Sequence, residues 1–199
     1  MCIRDRSTTL KDIGLNKDQF TINVSNRKIV QGLIDDLKIS KDKQLKVIRA
    51  IDKLDKPGFG LKGVEDLLKK ERKDQSGAVT KGADLNNDQV AKILNFLKMK
   101  DLKELKENLK NPLSQEGIKE LEEVFEVISY GSNSNQVKTN FTIVRGLAYY
   151  SDFILETNLN FKVTNNKGKR IDLGSICSGG GYAKLISRFK GVDFPGTGI

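Results

Sequence analysis

Gly174-Ser175-Ile176-Cys177-Ser178-Gly179-Gly180-Gly181-Tyr182 begins as a strand pattern and breaks into three consecutive glycines before an aromatic residue. Upstream, Val144-Arg145-Gly146-Leu147-Ala148-Tyr149-Tyr150 closes another apolar run with one arginine and two tyrosines. Glycine lets a ligand approach the backbone closely, and arginine offers an anion a rigid fork of donors. Bare backbone, paired aromatics and an arginine at strand ends are what a site for a small zwitterion and a phosphate requires.

The strand signal extends outward from these phrases. Leu159, Phe161 and Val163 alternate with Asn160, Lys162 and Thr164, so residues 150–164 are predicted as one long strand. Asn165-Asn166-Lys167-Gly168 is turn chemistry. Residues 170–177 then read as the antiparallel partner, and residues 182–189 as a short helix. Residues 139–144 form a further predicted strand. Far upstream, Phe20-Thr21-Ile22-Asn23-Val24-Ser25 alternates in the same way, behind a helix end at residues 8–15.

Between these strands the hydrophobic period becomes helical. Ile29, Val30, Leu33, Ile34 and Leu37 share one face, and Leu45, Ile48 and Ile51 another. Val90, Ile93, Leu94 and Leu97 mark a third helix; Ile118, Leu121, Phe125 and Ile128 mark a fourth. Ser114 is the expected cap of the fourth, with Glu116 in its first turn. Breaks fall at Pro57-Gly58, Ser76-Gly77 and Asn111-Pro112, and Gly131-Ser132-Asn133-Ser134-Asn135 closes the block. The pattern predicts an α+β fold: residues 8–25 and 137–199 form an antiparallel-sheet domain, interrupted by a helical insertion domain over residues 26–136. Strands 20–24 and 139–144 are expected to lie in one sheet.

Composition narrows the chemistry. The formal net charge is +9, and of the 35 Lys and Arg residues only 8 are Arg. Lysines scattered over solvated helix faces account for that excess as readily as nucleic-acid binding does. Histidine is absent, which excludes a Ser-His or Cys-His nucleophile, an imidazole base and any His-containing zinc site. Only Cys2 and Cys177 are present, so no disulfide framework is expected and a reduced, cytosolic setting is the default. No metal site is expected, and no apolar run approaches the ~20 residues of a membrane helix. Gly58-Phe59-Gly60-Leu61-Lys62-Gly63 spells a dinucleotide fingerprint. Its mechanism needs a preceding buried strand. Ile48-Arg49-Ala50-Ile51-Asp52-Lys53-Leu54-Asp55 is instead charged and helical in period, so the glycines read as a turn between helices.

The Arg145 and Gly179 phrases resemble the signature segments of the histidyl-tRNA synthetases, a family of class II aminoacyl-tRNA synthetases. Ser25-Asn26-Arg27-Lys28-Ile29 resembles the stretch after that family's second class-defining motif. Ala50-Ile51-Asp52-Lys53-Leu54-Asp55-Lys56 resembles the insert of the eukaryote-like and alphaproteobacterial forms. Ile186-Ser187-Arg188-Phe189-Lys190-Gly191 and Phe194-Pro195-Gly196-Thr197-Gly198-Ile199 resemble the approach to the third motif. The resemblance covers residues 8–199. Met1-Cys2-Ile3-Arg4-Asp5-Arg6-Ser7 matches nothing in the family and reads as a non-native scar.

The resemblance implies part of a class II catalytic domain carrying a helical insertion. It implies ATP-dependent activation of histidine, with Mg2+ as the counterion of ATP, and transfer of the histidyl group to tRNA(His). A cytoplasmic homodimer without a membrane partner is implied for the complete enzyme. Arg145 takes the place of the family's catalytic arginine. Tyr149, Tyr150 and Tyr182 stand where histidine is bound, Gly179 and Gly180 where the pocket floor is kept low, and Glu156 in a supporting place. Lys69, Lys70, Arg72 and Lys73, at the end of a predicted helix, are the candidate tRNA contacts. Departures from the family pattern fall at Ala148, Ser151-Asp152, Gly181 and Ala183. By the same resemblance the chain lacks the first, second and third motifs and the anticodon-binding domain, so in isolation it is expected to be inactive. Two other readings compete: a catalytically silent regulatory subunit of ATP phosphoribosyltransferase, and a non-catalytic helical interaction module.

Overall fold

The computed structural model describes residues 2–56, 58–73, 79–131, 134–144, 150–171, 173–192 and 194–199. The elements in chain order are α1 (Cys2–Asp12), β1 (Phe20–Asn26), α2 (Arg27–Asp36), α3 (Lys41–Ile51), α4 (Gly60–Lys69), β2 (Glu71–Lys73), β3 (Val79–Lys81), α5 (Asn87–Phe96), α6 (Leu102–Asn108) and α7 (Pro112–Ser129). After a short 3-10 turn at Ser134–Gln136 come β4 (Val137–Thr139), β5 (Phe153–Leu159), β6 (Val163–Thr164), β7 (Arg170–Ile171), β8 (Ser175–Gly181), α8 (Ala183–Lys190) and β9 (Thr197–Gly198). The chain divides into two compact units, Met1–Arg27 with Lys119–Ile199, and Lys28–Ile118. That division cuts α7, whereas the sequence pattern places the boundary at the polar linker after it.

The first unit is built on a five-stranded sheet of order β4-β1-β5-β8-β9. β1, β5, β8 and β9 pair antiparallel. β4 lies parallel to β1, with Ile22 opposite Val137 and Val24 opposite Thr139. The sheet is therefore mixed but rich in antiparallel pairs. The strand predicted over 139–144 is displaced: Val137–Thr139 pairs, and Asn140 already turns, its side chain accepting from the Thr142 backbone N–H at 3.1 Å. Asn at this place competes for backbone donors and ends the strand. The long strand predicted over 150–164 is likewise divided into β5 and β6, and β6 pairs with β7 as a separate hairpin.

Phe20, Ile22 and Val24 are at most 1% exposed and bury one face of β1. Arg6 of α1 lies against that same face, donating from Nη1 to Thr157 Oγ1 at 3.3 Å. Its Nε and Nη2 are buried without a partner among the described residues, and desolvation lowers its pKa from the usual arginine value. Each orphaned donor costs roughly 1–3 kcal/mol, so Arg6 is a poor fit to the place it occupies. Ser7 is better matched, donating to Gln136 Oε1 at 2.8 Å.

The second unit packs helices around Ile34, Ile51, Leu68, Ile93 and Leu105, all at most 1% exposed. It also contains a β-hairpin, β2–β3, where the sequence pattern shows only helices. The returning chain caps α4: Ala83 N–H donates to the Leu67 carbonyl at 2.8 Å and Leu85 N–H to the Leu68 carbonyl at 3.0 Å. Those bonds satisfy carbonyls that a helix end leaves free. Among the described residues no strand lies between α3 and α4; Gly58 takes φ +73° in the turn joining them, and Gly60, the first residue of α4, takes +56°. The expected cap of α7 shifts as well. Pro112 opens the helix, as proline suits its first position, and Asn111 Oδ1 accepts from the Leu113 N–H at 2.9 Å. Ser114 is buried instead, donating to the Ile29 carbonyl at 2.9 Å. Gly32 makes this approach possible, since a Cβ there would lie 2.7 Å from Ser114 N. The break expected at Ser76-Gly77 lies outside the described residues.

Candidate active site

Tyr150 and Tyr182 meet at one end of the sheet, rings stacked with centroids 5.7 Å apart and planes 25° from parallel. Tyr150 enters β5 and is 8% exposed; Tyr182 follows β8 directly and caps α8. Ile143 and Ile154 pack with them. Offset stacking suits two aromatic quadrupoles. Burial raises the Tyr182 pKa above the ordinary phenol value, with the neighbouring Tyr150 adding to the shift. The hydroxyl therefore stays a protonated donor at neutral pH.

Glycines set the room beneath the pair. A Cβ on Gly180 would lie 2.7 Å from Tyr150 Cδ1, and one on Gly198 would lie 2.9 Å from Tyr182 Cζ. Gly180 and Gly198 are cross-strand partners, so both bare positions face the same side. Gly179 is one residue away and the pleat turns it to the other face. A Cβ there would meet Arg6 Nη2 at 2.8 Å rather than a tyrosine. Of the two glycines expected to keep the floor low, the structure brings Gly180 to the tyrosines and not Gly179. Gly198 takes the second place; its signal is the Gly196-Thr197-Gly198 spacing, which propensity alone reads as a turn.

Glu156 is 5% exposed on β5, opposite Asn23 of β1 and Ser178 of β8. It shares a face with Ile154, two residues earlier, and so with the tyrosine pair. Along the same face Asn23 Nδ2 donates to Asn158 Oδ1 at 2.8 Å and Thr21 Oγ1 to Asn160 Oδ1 at 2.9 Å. A polar row thus leads away from the rings. On the opposite face a cavity of about 850 Å³ opens between α1, α7 and Val24, Phe153 and Leu155. Its lining is mainly apolar and includes Gly180 and Gly198 but neither tyrosine.

The segment before β5 is tied on several sides. Ser151 N–H donates to the Gly181 carbonyl at 2.8 Å, and Arg27 N–H to the Asp152 carbonyl at 2.9 Å. Arg27 Nη1 donates to the Tyr150 carbonyl at 2.9 Å. Tyr182 N–H reaches the Gly196 carbonyl at 2.7 Å. Arg145, Tyr149 and Ala148 lie outside the described residues. Among the described residues no group of three or more His, Cys, Asp or Glu side chains could hold a metal ion.

The four candidate tRNA contacts do not sit together on a helix end. Lys69 ends α4, while Arg72 and Lys73 belong to β2. Lys69 Nζ pairs with Glu65 at 2.7 Å. Arg72 stacks 4.0 Å above the centre of the Phe59 ring and donates to the Gly58 carbonyl at 3.0 Å. These two cations serve their own unit. Lys70 and Lys73 are exposed.

A family model described as histidyl-tRNA synthetase matches residues 7–199. The histidine--tRNA ligase of Pelagibacter ubique (strain HTCC1062) is 74% identical over 193 residues, covering 97% of this chain and 42% of that protein. The histidine--tRNA ligase of Rhizobium rhizogenes (strain K84 / ATCC BAA-868) is 39% identical over 209 residues, covering 100% of this chain and 41% of that protein. The crystal structure of histidyl-tRNA synthetase from Nostoc sp. PCC 7120 superposes with a TM-score of 0.74 at 29% identity, over 96% of this chain and 41% of that one. The chain thus spans about two fifths of the length of the curated relatives it matches. With a match over nearly all of its residues, and an antiparallel-rich sheet of the same fold, the chain belongs to the histidyl-tRNA synthetase family.

Proposed function

We propose that this chain supplies the amino-acid half of a histidine-activating site. The observation that carries the reading is the stacked Tyr150–Tyr182 pair above Gly180 and Gly198, Tyr150 being the last residue of the Arg145 phrase. An aromatic pair with a phenol hydroxyl at its edge suits an imidazole and an ammonium group. In the reaction, a carboxylate oxygen of histidine attacks the α-phosphorus of ATP. The bond to the bridging oxygen breaks and pyrophosphate leaves with that electron pair. The terminal ribose hydroxyl of tRNA(His) then attacks the histidyl carbonyl, loses its proton, and AMP departs. Arg145 neutralises charge at the α-phosphate, Tyr149, Tyr150 and Tyr182 hold the amino acid, and buried Glu156 supports them from β5. Mg2+ enters only as the counterion of ATP. The acting form is a cytoplasmic homodimer; among the described residues no helix is long and apolar enough to cross a membrane.

The test is a chimera in which residues 7–199 replace the matching segment of the Pelagibacter ubique ligase. Histidine-dependent exchange of pyrophosphate into ATP at a rate within about tenfold of that ligase is the expected result. A folded chimera without exchange would favour the silent regulatory subunit, a reading that 74% identity to a ligase argues against.

Transfer requires a grip on tRNA, and the hairpin narrows the candidates to Lys70 and Lys73, with Lys69 and Arg72 held by Glu65 and Phe59. In the chimera, Lys70→Ala with Lys73→Ala is expected to weaken tRNA(His) binding and reduce its log–log salt slope by about 1–2, the scale for two phosphate contacts. A slope equal to the parent's would remove the hairpin from the interface.

A further inference from the structure

Arg27 is the residue at which β1 ends and α2 begins, and it takes hold of the tyrosine segment from two directions. Its backbone N–H donates to the Asp152 carbonyl at 2.9 Å, and its Nη1 donates to the Tyr150 carbonyl at 2.9 Å. These acceptors flank Ser151, whose own N–H is bonded to the Gly181 carbonyl at 2.8 Å. Three successive residues, Tyr150 to Asp152, are therefore held from both sides, by the first residue of α2 and by the last residue of β8. The side-chain bond is the one a substitution can remove without altering the backbone ladder. It acts on the carbonyl of Tyr150, whose ring stacks on Tyr182. The guanidinium is half-buried and desolvation lowers its pKa from the usual value, yet arginine stays charged in proteins. A charged donor to a neutral carbonyl in such surroundings is among the stronger hydrogen bonds.

We propose that Arg27 is a positioning residue for the amino-acid pocket: its guanidinium fixes the Tyr150 carbonyl and thereby the stacking of Tyr150 on Tyr182. The inference rests on the histidine-activating reading for its kinetic consequence and on the geometry alone for its structural one. Arg27 touches neither histidine nor ATP in this scheme. Losing its bond leaves the sheet intact and lets the Tyr150 backbone shift. Even a small misplacement of a binding group is costly, and it falls on histidine rather than on ATP.

The experiment uses the chimera labelled with 3-fluorotyrosine, with the Tyr150 and Tyr182 resonances assigned by Tyr→Phe replacement. Arg27→Met is expected to move both resonances and to raise the histidine KM in pyrophosphate exchange about 10-fold or more. The ATP KM should stay within about twofold and the melting temperature within a few degrees. Arg27→Lys, which keeps a donor on a shorter reach, should recover at least half of the logarithmic loss and return the resonances toward the parent. Unmoved resonances with an unchanged histidine KM would overturn the proposal. So would a parallel loss of both KM values and of thermal stability, because that marks a purely structural arginine. Absence of exchange in the parent chimera would sink the histidine-activating reading, and the fluorine shifts would still decide whether Arg27 sets the ring pair.

Discussion

Arg145→Ala in the chimeric enzyme is expected to lower the rate of histidine adenylation by about 10²–10³-fold, the scale for removing one preorganised donor from a developing charge. Attack on the α-phosphorus concentrates negative charge on its non-bridging oxygens, and a planar guanidinium meets two of them at once. Since that charge grows towards the transition state, the loss should appear in the rate while the histidine KM changes far less. Arg145→Lys should not restore the rate, because an ammonium lacks the fork. Tyr150→Phe and Tyr182→Phe should do the reverse, raising the histidine requirement more than slowing the chemistry. Single-turnover adenylate formation at saturating histidine separates the two patterns. An Arg145→Ala enzyme that adenylates at the parental rate ends the catalytic assignment.

Gly180→Ala is the second change with a large expected effect. The added methyl would enter the Phe153 carbonyl oxygen and lie 2.7 Å from the Tyr150 ring, so backbone and tyrosine must both move. Overpacking of this kind costs about 1–3 kcal/mol, and it tilts the Tyr150 ring that stacks on Tyr182. Gly181→Ala, one residue on, serves as the control. Its methyl meets Asp152 Oδ2 at 3.4 Å, ordinary contact, and its φ is not in the left-handed region. That variant should be neutral or slightly stabilising, since alanine loses less backbone entropy on folding. Urea unfolding of both variants, together with the histidine KM, gives the comparison. Equal effects at 180 and 181 would show that the bare strand end is not matched to the tyrosines.

The contrast between these neighbours also bears on the family departures. Gly181, one of the departures from the family pattern, lies beside Asp152, whose Oδ2 accepts from Ser151 Oγ at 2.7 Å. The segment between Tyr150 and β5 is tied by that Ser151–Asp152 contact and by the Arg27 bond to the Tyr150 carbonyl.

Much of this was readable residue by residue. The alternation of Phe20 to Ser25 and the helical faces of Ile29 to Leu37 and Val90 to Leu97 are local signals, and the structure places β1, α2 and α5 on them. The Arg145 and Gly179 phrases indicated the family through their resemblance to its signature segments, together with the stretches at residues 25–29, 50–56 and 186–199. Pairing and facing are different matters. The parallel partnership of β4 with β1 depends on where 110 intervening residues return the chain, which no local period encodes; 137 minus 26 leaves residues 27–136 between them. Hairpin β2–β3 leads into Ala83 and Leu85, whose N–H groups satisfy carbonyls of α4, a tertiary gain that overrides the charged helical pattern of Lys69 to Lys73. Gly179 and Gly180 are alike in sequence, and only the pleat assigns one to Arg6 and the other to Tyr150. Arg27 shows the same limit: its type was legible, but the carbonyl it holds lies more than 120 positions away, and tertiary folding alone brings donor and acceptor within 2.9 Å.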